Sequence, residues 1–238
     1  MTVPLFRDDA YLRTCEAKVI GVNDRGGILL DRSVFYASAG GQPGDTGFLE
    51  LDDGTHIKIE TTVYDQDRNT IVHVPADTQP VPIAGMSVVV HLDWARRYRM
   101  MRMHTALHLL SVALPFPVTG GQIGDGEGRL DFDMCDAALD KDALIETVNT
   151  LAAADHEVTS EWITDAELDA NPGLVKTMSV KPPRGSGQVR LVRIGGDVDL
   201  QPCGGTHVSR TSEIGPLSLG KVENKGKQNR RVRLRLDD

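Results

Sequence analysis

The residues from Asp93 to Leu114, "DWARRYRMMRMHTALHLLSVAL", contain no glycine and no proline until Pro115 closes them. Asp93 is suited to cap the first turn and the proline stops the last, so the stretch predicts one long helix. Met100, Met103, Leu107, Leu110 and Leu114 recur at spacings of three and four, which places them on one core-facing stripe. The helix divides the character of the chain. Before it lie short β-branched or alternating runs, "CEAKVIGV", "GGILLD", "TGFLEL", "HIKIETTVY", "IVHV" and "SVVVHL", separated by turn sequences such as "NDRGG" and "DDGT". That pattern predicts an all-β unit over residues 1–90, a small barrel or curled sheet.

After the helix the two periodicities mix. "DKDALIETVNTLAAAD" reads as a second helix with Leu144, Val148 and Leu151 in register, and "HEVTSEWI" as a strand. Thr164 and Glu167 make a capping box for a short helix ending near Pro172. "QVRLVRIG" and a closing hairpin, "PLSLGKV" to "RRVRLRL", add strands. The expected fold class is α+β: a small N-terminal β-barrel-like domain over 1–90, and a C-terminal α+β domain over 91–238 that holds the chemistry.

Composition narrows the function classes. No run approaches the roughly 18 apolar residues of a membrane span, and the N-terminus has no basic region followed by an apolar run. Three widely spaced cysteines make no disulfide framework, so a reducing cytoplasm is expected, and no membrane or protein partner is inferred. The net charge is −8, with 7 Lys/Arg against 13 Asp/Glu in residues 1–90 and 19 against 21 in the remainder. Against that background "KVENKGKQNRRVRLR" (221–235) packs seven basic residues beside the single Glu223. Such a segment can hold a phosphate backbone locally, or it can be a solvated hairpin; charge alone leaves both open.

Two short motifs carry chemistry. His104 and His108 are four apart on the predicted helix and so share a face. Taken alone they are better explained as two partly buried histidines with ordinary hydrogen bonds. Cys203 and His207 flank "GGT", where two glycines let the backbone fold tightly enough for both side chains to point inward. One cysteine and three histidines form a donor set that suits zinc, and a shared ion is expected, one per chain. A zinc protease of the HExxH type is excluded, since the general-base glutamate of that motif is replaced by Thr105. Cys15 and Cys135 lack metal-ligand companions and read as structural, and His56, His73, His91 and His156 are assigned no role.

Together "HTALHLLSVAL", "GRLDFD", "CGGTHV", "KGKQNRRVRL" and the glycine-rich "FYASAGGQPGDTG" resemble the editing domain of alanyl-tRNA synthetase and its free-standing relatives, the AlaX proteins. The similarity runs from about residue 14 to 235, in the medium-length arrangement of a β domain followed by a zinc editing domain. The resemblance implies hydrolysis of the ester that joins serine, and also glycine, to the 3′ adenosine of alanine tRNA. It makes His104, His108, Cys203 and His207 the zinc ligands. Lys225, Lys227, Arg230 and Arg231 are the expected tRNA contacts. It also places Gln122 near the aminoacyl group, and Ser38 where relatives carry a threonine hydroxyl. Their ordinary readings are loop hydrogen bonds. The chain departs from the family pattern at Ala37 and Ala39, and alanine at 39 is expected to limit positive φ and hence the tightness of that loop.

Two roles for the zinc remain open. It can activate a water by expanding to five-coordinate or exchanging a ligand, or it can fix the pocket while water is activated elsewhere, for example by the ribose hydroxyl; an activated ester needs less help than an amide, which favours the second. Two other functions compete with deacylation. One is a zinc-stabilised tRNA-binding module without hydrolysis, against which the intact ligand set argues. The other is the editing domain of threonyl-tRNA synthetase, against which "CGGTH" argues.

Overall fold

The computed structural model describes residues 2–67, 69–134, 139–175, 187–226 and 228–237. They divide into two compact units, Met1–Tyr98 and Arg99–Asp238. In the first, six strands close into a barrel: β1 (Thr14–Val22), β2 (Ile28–Leu30), β3 (Gly47–Leu51), β4 (His56–Tyr64), β5 (Ile71–Pro75) and β6 (Ser87–Leu92). Going round, β1 pairs β2, then β5, β4, β3 and β6, and β6 returns to β1. The alternation seen in sequence is the alternation of the wall: Ala17 and Val19 of β1 are buried while Glu16, Lys18 and Ile20, which alternate with them, are exposed. Ile28, Leu30, Leu49, Ile57, Ile59, Val88 and Val90 fill the interior. His73 of β5 is fully buried with them, its Nε2 2.8 Å from Ser33 Oγ and its Nδ1 3.1 Å from Ile28 O. Burial pushes its pKa down to about 4.

The glycine-rich segment leads into β3. Ala39 and Gln42 exchange backbone hydrogen bonds of 3.1 and 2.9 Å across Gly40 and Gly41, whose φ values are +56° and +83°. This is a tight two-residue turn of the kind that needs positive φ at both central positions. The expected loosening by Ala39 therefore does not arise, because the left-handed positions fall on the glycines beside it. Gly44 is needed for a different reason: a Cβ there would sit 1.8 Å from Thr62 O. Asp45, buried, ties the segment down. Its Oδ2 accepts from the Tyr36 backbone N–H at 2.5 Å, and both carboxylate oxygens take the guanidinium of the fully buried Arg97. Arg97 also donates to Ala10 O at 3.0 Å and Val34 O at 2.8 Å.

Helix α1 (Trp94–Ala113) begins where expected: Asp93 Oδ1 accepts from Arg96 N at 3.2 Å. The division between the two units falls within its first turns. In the second unit Met100, Met103, Leu107, Leu110 and Leu114 are all buried. A sheet lies against this helix, built of β7 (Val118–Ile123), β8 (Glu127–Asp133), β12 (Leu217–Leu219), β13 (Glu223–Lys225) and β14 (Asn229–Leu236). Its order is β12-β14-β8-β7, with β13 also on β14. Gly128 of β8 packs under Met103 and Leu107, which identifies the sheet face turned to the helix. A second sheet, β9 (Val158–Thr164), β10 (Gln188–Ile194) and β11 (Asp199–Pro202), is antiparallel throughout. Helix α2 (Lys141–Ala153) is capped by Asp140, and α3 (Asp165–Ala170) by the Thr164–Glu167 capping box. Among the described residues no helix is long and apolar enough to cross a membrane.

Candidate metal centre

The third and fourth turns of α1 carry His104 and His108, and the loop after β11 carries Cys203 and His207. The loop is pinned from β10: Cys203 N donates to Arg190 O at 3.0 Å, and Arg190 Nη1 donates to Cys203 O and Gly205 O, each at 3.0 Å. One ligand atom from each of the four side chains lies within 4.8 Å of the other three. Cys203 Sγ is 3.4 Å from His104 Nε2 and 3.3 Å from His207 Nε2. An imidazole nitrogen and a thiolate on one tetrahedral zinc, with bonds of about 2.0–2.1 and 2.3 Å, stand about 3.5 Å apart. The donor set fits a single ion of that size.

The rings are held from behind. His108 Nδ1 is 2.9 Å from Asp199 Oδ2 and 3.0 Å from Gln201 Nε2, and Asp199 and Gln201 are themselves 2.7 Å apart. His207 Nδ1 is 3.1 Å from Thr105 Oγ1. The Thr105 hydroxyl has one proton and gives it to Met101 O at 3.0 Å, so towards His207 it can only accept. His207 is thereby fixed with its proton on Nδ1 and its lone pair on Nε2, facing the cysteine. Outer partners of this kind set the tautomer and the aim of a metal-binding imidazole.

For Cys203 and His207 the electrostatics agree with that arrangement. Burial opposes ionisation of the Cys203 thiol, yet His104 and His207 beside it hold its pKa well below the ordinary value, as a thiolate ligand requires. Burial, then the neighbouring His104, push His207 down to about 3, which leaves it neutral. For His108 burial works downward but the Asp199 carboxylate and Cys203 outweigh it, raising the pKa to about 9.

Two family profiles match this chain. The one described as the threonyl and alanyl tRNA synthetase second additional domain covers residues 189–233, and the one described as tRNA synthetases class II (A) covers residues 10–96. The alanyl-tRNA editing protein AlaX-M of Methanosarcina barkeri is 36% identical, with 100% of both chains aligned. The chain belongs to the AlaX-M family. The longer AlaX-L of Pyrococcus horikoshii is 32% identical over 95% of this chain and 56% of its own. The alanine–tRNA ligase of Pyrobaculum calidifontis is 37% identical, over 93% of this chain but 25% of the ligase.

In this AlaX-M chain the other residues singled out in sequence lie as follows. Ser38 N donates to Thr62 O at 2.9 Å and its hydroxyl reaches Gln42 O at 3.5 Å, both within the barrel unit. Gln122 pairs with Arg129 across β7 and β8, on the sheet face away from Met103 and Leu107, and accepts from Arg129 Nε at 3.2 Å. Arg231 makes two bonds to Asp131, of 2.7 and 2.9 Å, while Arg233 and Arg235 both reach Glu127. Lys225 is exposed at the end of β13. Lys227 and Cys135 lie outside the described residues. The sequence reading missed Asp199, Gln201 and Thr105. A signal existed for the first two: in "DLQPC" residues 199, 201 and 203 alternate along a strand, so they share the face of Cys203.

Proposed function

We propose that this protein removes wrong amino acids from alanine tRNA in trans, hydrolysing the ester that joins serine, and also glycine, to the 3′ adenosine. The observation that carries the reading is the intact four-donor cluster, its three histidines buried and Cys203 partly so, in a chain aligned end to end with an AlaX-M protein. Zinc is the ion assigned to His104, His108, Cys203 and His207, one per chain, because thiolate and imidazole donors together suit it. When bound it supplies a fixed positive centre that shapes the pocket and orients the aminoacyl group. The chain's own part is to hold that geometry: Asp199 and Thr105 aim His108 and His207. Four protein donors complete a tetrahedron, and an ester needs less activation than an amide, so the attacking water is activated by the free hydroxyl of the terminal ribose.

Ser38 is the residue assigned to recognise the hydroxyl of serine, with Gln122 as a second pocket amide. Lys225, Lys227 and Arg230 are assigned to the tRNA backbone, while Arg231, also expected there from the sequence, is given a structural part by its two bonds to Asp131; residues 91–238 are assigned to the editing domain, and the cytoplasm to the protein. A small-residue pocket cannot exclude glycine from alanine's place or strongly reject an added hydroxyl, so a second, destructive site supplies the missing selectivity. The test is release of labelled amino acid from alanine tRNA charged separately with serine, glycine and alanine, alongside elemental analysis. The expected result is release of serine and glycine, alanine retained, and about one zinc per chain. Binding of charged tRNA without release would replace the enzyme by a tRNA-binding module.

A further inference from the structure

Trp162 is 46% exposed, on the outer strand of a sheet whose inner residues are buried. Strand pairing shows which way it faces. Trp162 stands opposite Arg190, as Ser160 does opposite Val192, and Val192 stands opposite Gln201 on the far side. Directly opposed residues share a face, so Trp162, Arg190 and Gln201 lie on the same side of the sheet. That side is the one from which Gln201 and Asp199 reach His108, and from which Arg190 holds the Cys203 and Gly205 carbonyls. Trp162 is thus separated from the Cys203 loop by one guanidinium. Its neighbours on this face are Ser160, Thr164, Arg190, Val192 and Gln188, and the one carboxylate drawn to them, Glu167, is engaged by the Thr164 N–H and hydroxyl at 2.7 and 2.8 Å. The carboxylate of the same strand, Glu161, is on the opposite face and pairs with Arg193 at 2.9 Å.

We propose that Trp162 is a stacking platform for a base of the single-stranded 3′ end of the tRNA, holding it beside the metal centre. This rests on the tRNA-deacylase reading above and names the side chain that receives the RNA end. An indole face takes any base by stacking, a guanidinium beside it favours a phosphate, and that guanidinium is bonded to the loop that carries Cys203. A docked base would bring the adjoining ester to the site without any base-specific contact. Trp162 is therefore a positioning residue, acting on the RNA and not on the reacting atoms.

The chain has two tryptophans, Trp94 and Trp162. In Trp94→Phe protein, Trp162 becomes the single reporter. An RNA microhelix ending in single-stranded CCA should quench its emission, and a blunt-ended one of the same sequence should not. By fluorescence anisotropy, Trp162→Ala should raise the Kd for the CCA-ended microhelix by about fivefold to a hundredfold. Trp162→Phe should stay within about threefold of the wild type, and zinc content should be unaltered in both. If the microhelix binds the wild type while Trp162 emission and the Kd of Trp162→Ala are unchanged, the stacking role is refuted and the deacylase reading stands. If it fails to bind the wild type at all, the tRNA reading falls with it. A lower oligomeric mass in Trp162→Ala, with RNA affinity intact, would make the surface a contact between copies of this chain and overturn the proposal.

Discussion

Replacing Arg97 by methionine should unfold the barrel unit more readily than any substitution on its surface. Arg97 is 0% exposed, and its guanidinium is shared among Asp45, Ala10 O and Val34 O. Methionine keeps the stem but leaves the Asp45 carboxylate buried with the Tyr36 N–H and no cation. Removing one partner of a buried ion pair costs about 3–5 kcal/mol, because the surviving charge has neither water nor counter-charge. The two carbonyls lose a donor each, adding about 1 kcal/mol apiece. Arg97→Lys should fall between, since one ammonium cannot reach both carboxylate oxygens and both carbonyls in the guanidinium's fork. Urea unfolding followed by Trp94 emission in a Trp162→Phe background reports on this unit, as Trp94 stacks on Tyr98 at 5.4 Å between ring centres. The double variant Arg97→Met/Asp45→Asn should recover about 1–3 kcal/mol relative to Arg97→Met, because the orphaned charge is gone. A cost below about 1 kcal/mol for Arg97→Met, or a double variant no better than the single, would refute the argument that the pair is a mutually dependent anchor. Because Asp45 belongs to the segment that also carries Ser38, the same variants should blunt amino-acid selectivity.

Four further outcomes are expected. His73 has its pKa pushed down to about 4 by burial, below the roughly 6.5 of an unfolded chain, so its contribution to stability is present above pH ~6.5 and is lost as pH falls towards 4; the loss, about 3 kcal/mol by 1.36 per unit, should shrink in His73→Gln when urea midpoints are compared across that range. Asp199→Asn should weaken zinc retention against a chelator by about tenfold to a hundredfold through misaiming of His108, and Cys203→Ala should lose most of the metal outright; unchanged metal content in both would remove the shared site. Lys225→Ala should lower the salt slope of tRNA binding by about one, whereas Arg231→Ala should chiefly destabilise its sheet, its guanidinium being engaged by Asp131; identical effects on the salt slope would contradict that division. Ser38→Ala should narrow the ratio of serine to glycine release severalfold, by the 0.5–1.5 kcal/mol or so of one hydrogen bond, with zinc content unaltered; an unaltered ratio places selectivity elsewhere.

Much of the fold was legible because it rests on local rules. The strand runs of the barrel alternate in sequence as they do in the wall, and Asp93, Pro115 and the Thr164–Glu167 pair bound their helices as capping chemistry demands. The four-donor cluster was legible for a related reason. Two of its spacings are short, one set by the helix period and one by the short loop from Cys203 to His207, and only their meeting had to be supplied by the rest of the fold. What escaped was long-range pairing. Nothing near Arg97 in sequence announces Asp45, 52 positions earlier, and nothing near Arg231 announces Asp131, 100 positions earlier.

The hairpin shows how this changes a functional inference. Counted along the chain, residues 221–235 are seven cations beside one anion; counted across the sheet, Arg231, Arg233 and Arg235 face Asp131 and Glu127 of β8. A guanidinium already bonded to a carboxylate contributes little to a phosphate track, since the pair presents almost no net field beyond a Debye length. Under the proposed function, the exposed lysine of this hairpin, Lys225, is a better candidate for RNA than Arg231, Arg233 or Arg235. The same correction applied to β9 works in the other direction: Glu161, adjacent to Trp162 in sequence, is on the opposite face of the sheet. If the proposed function holds, this overall acidic chain meets RNA at two narrow places, the lysine-bearing end of the hairpin and the indole beside a guanidinium, and its affinity for tRNA should be modest, with selectivity placed at the aminoacyl end.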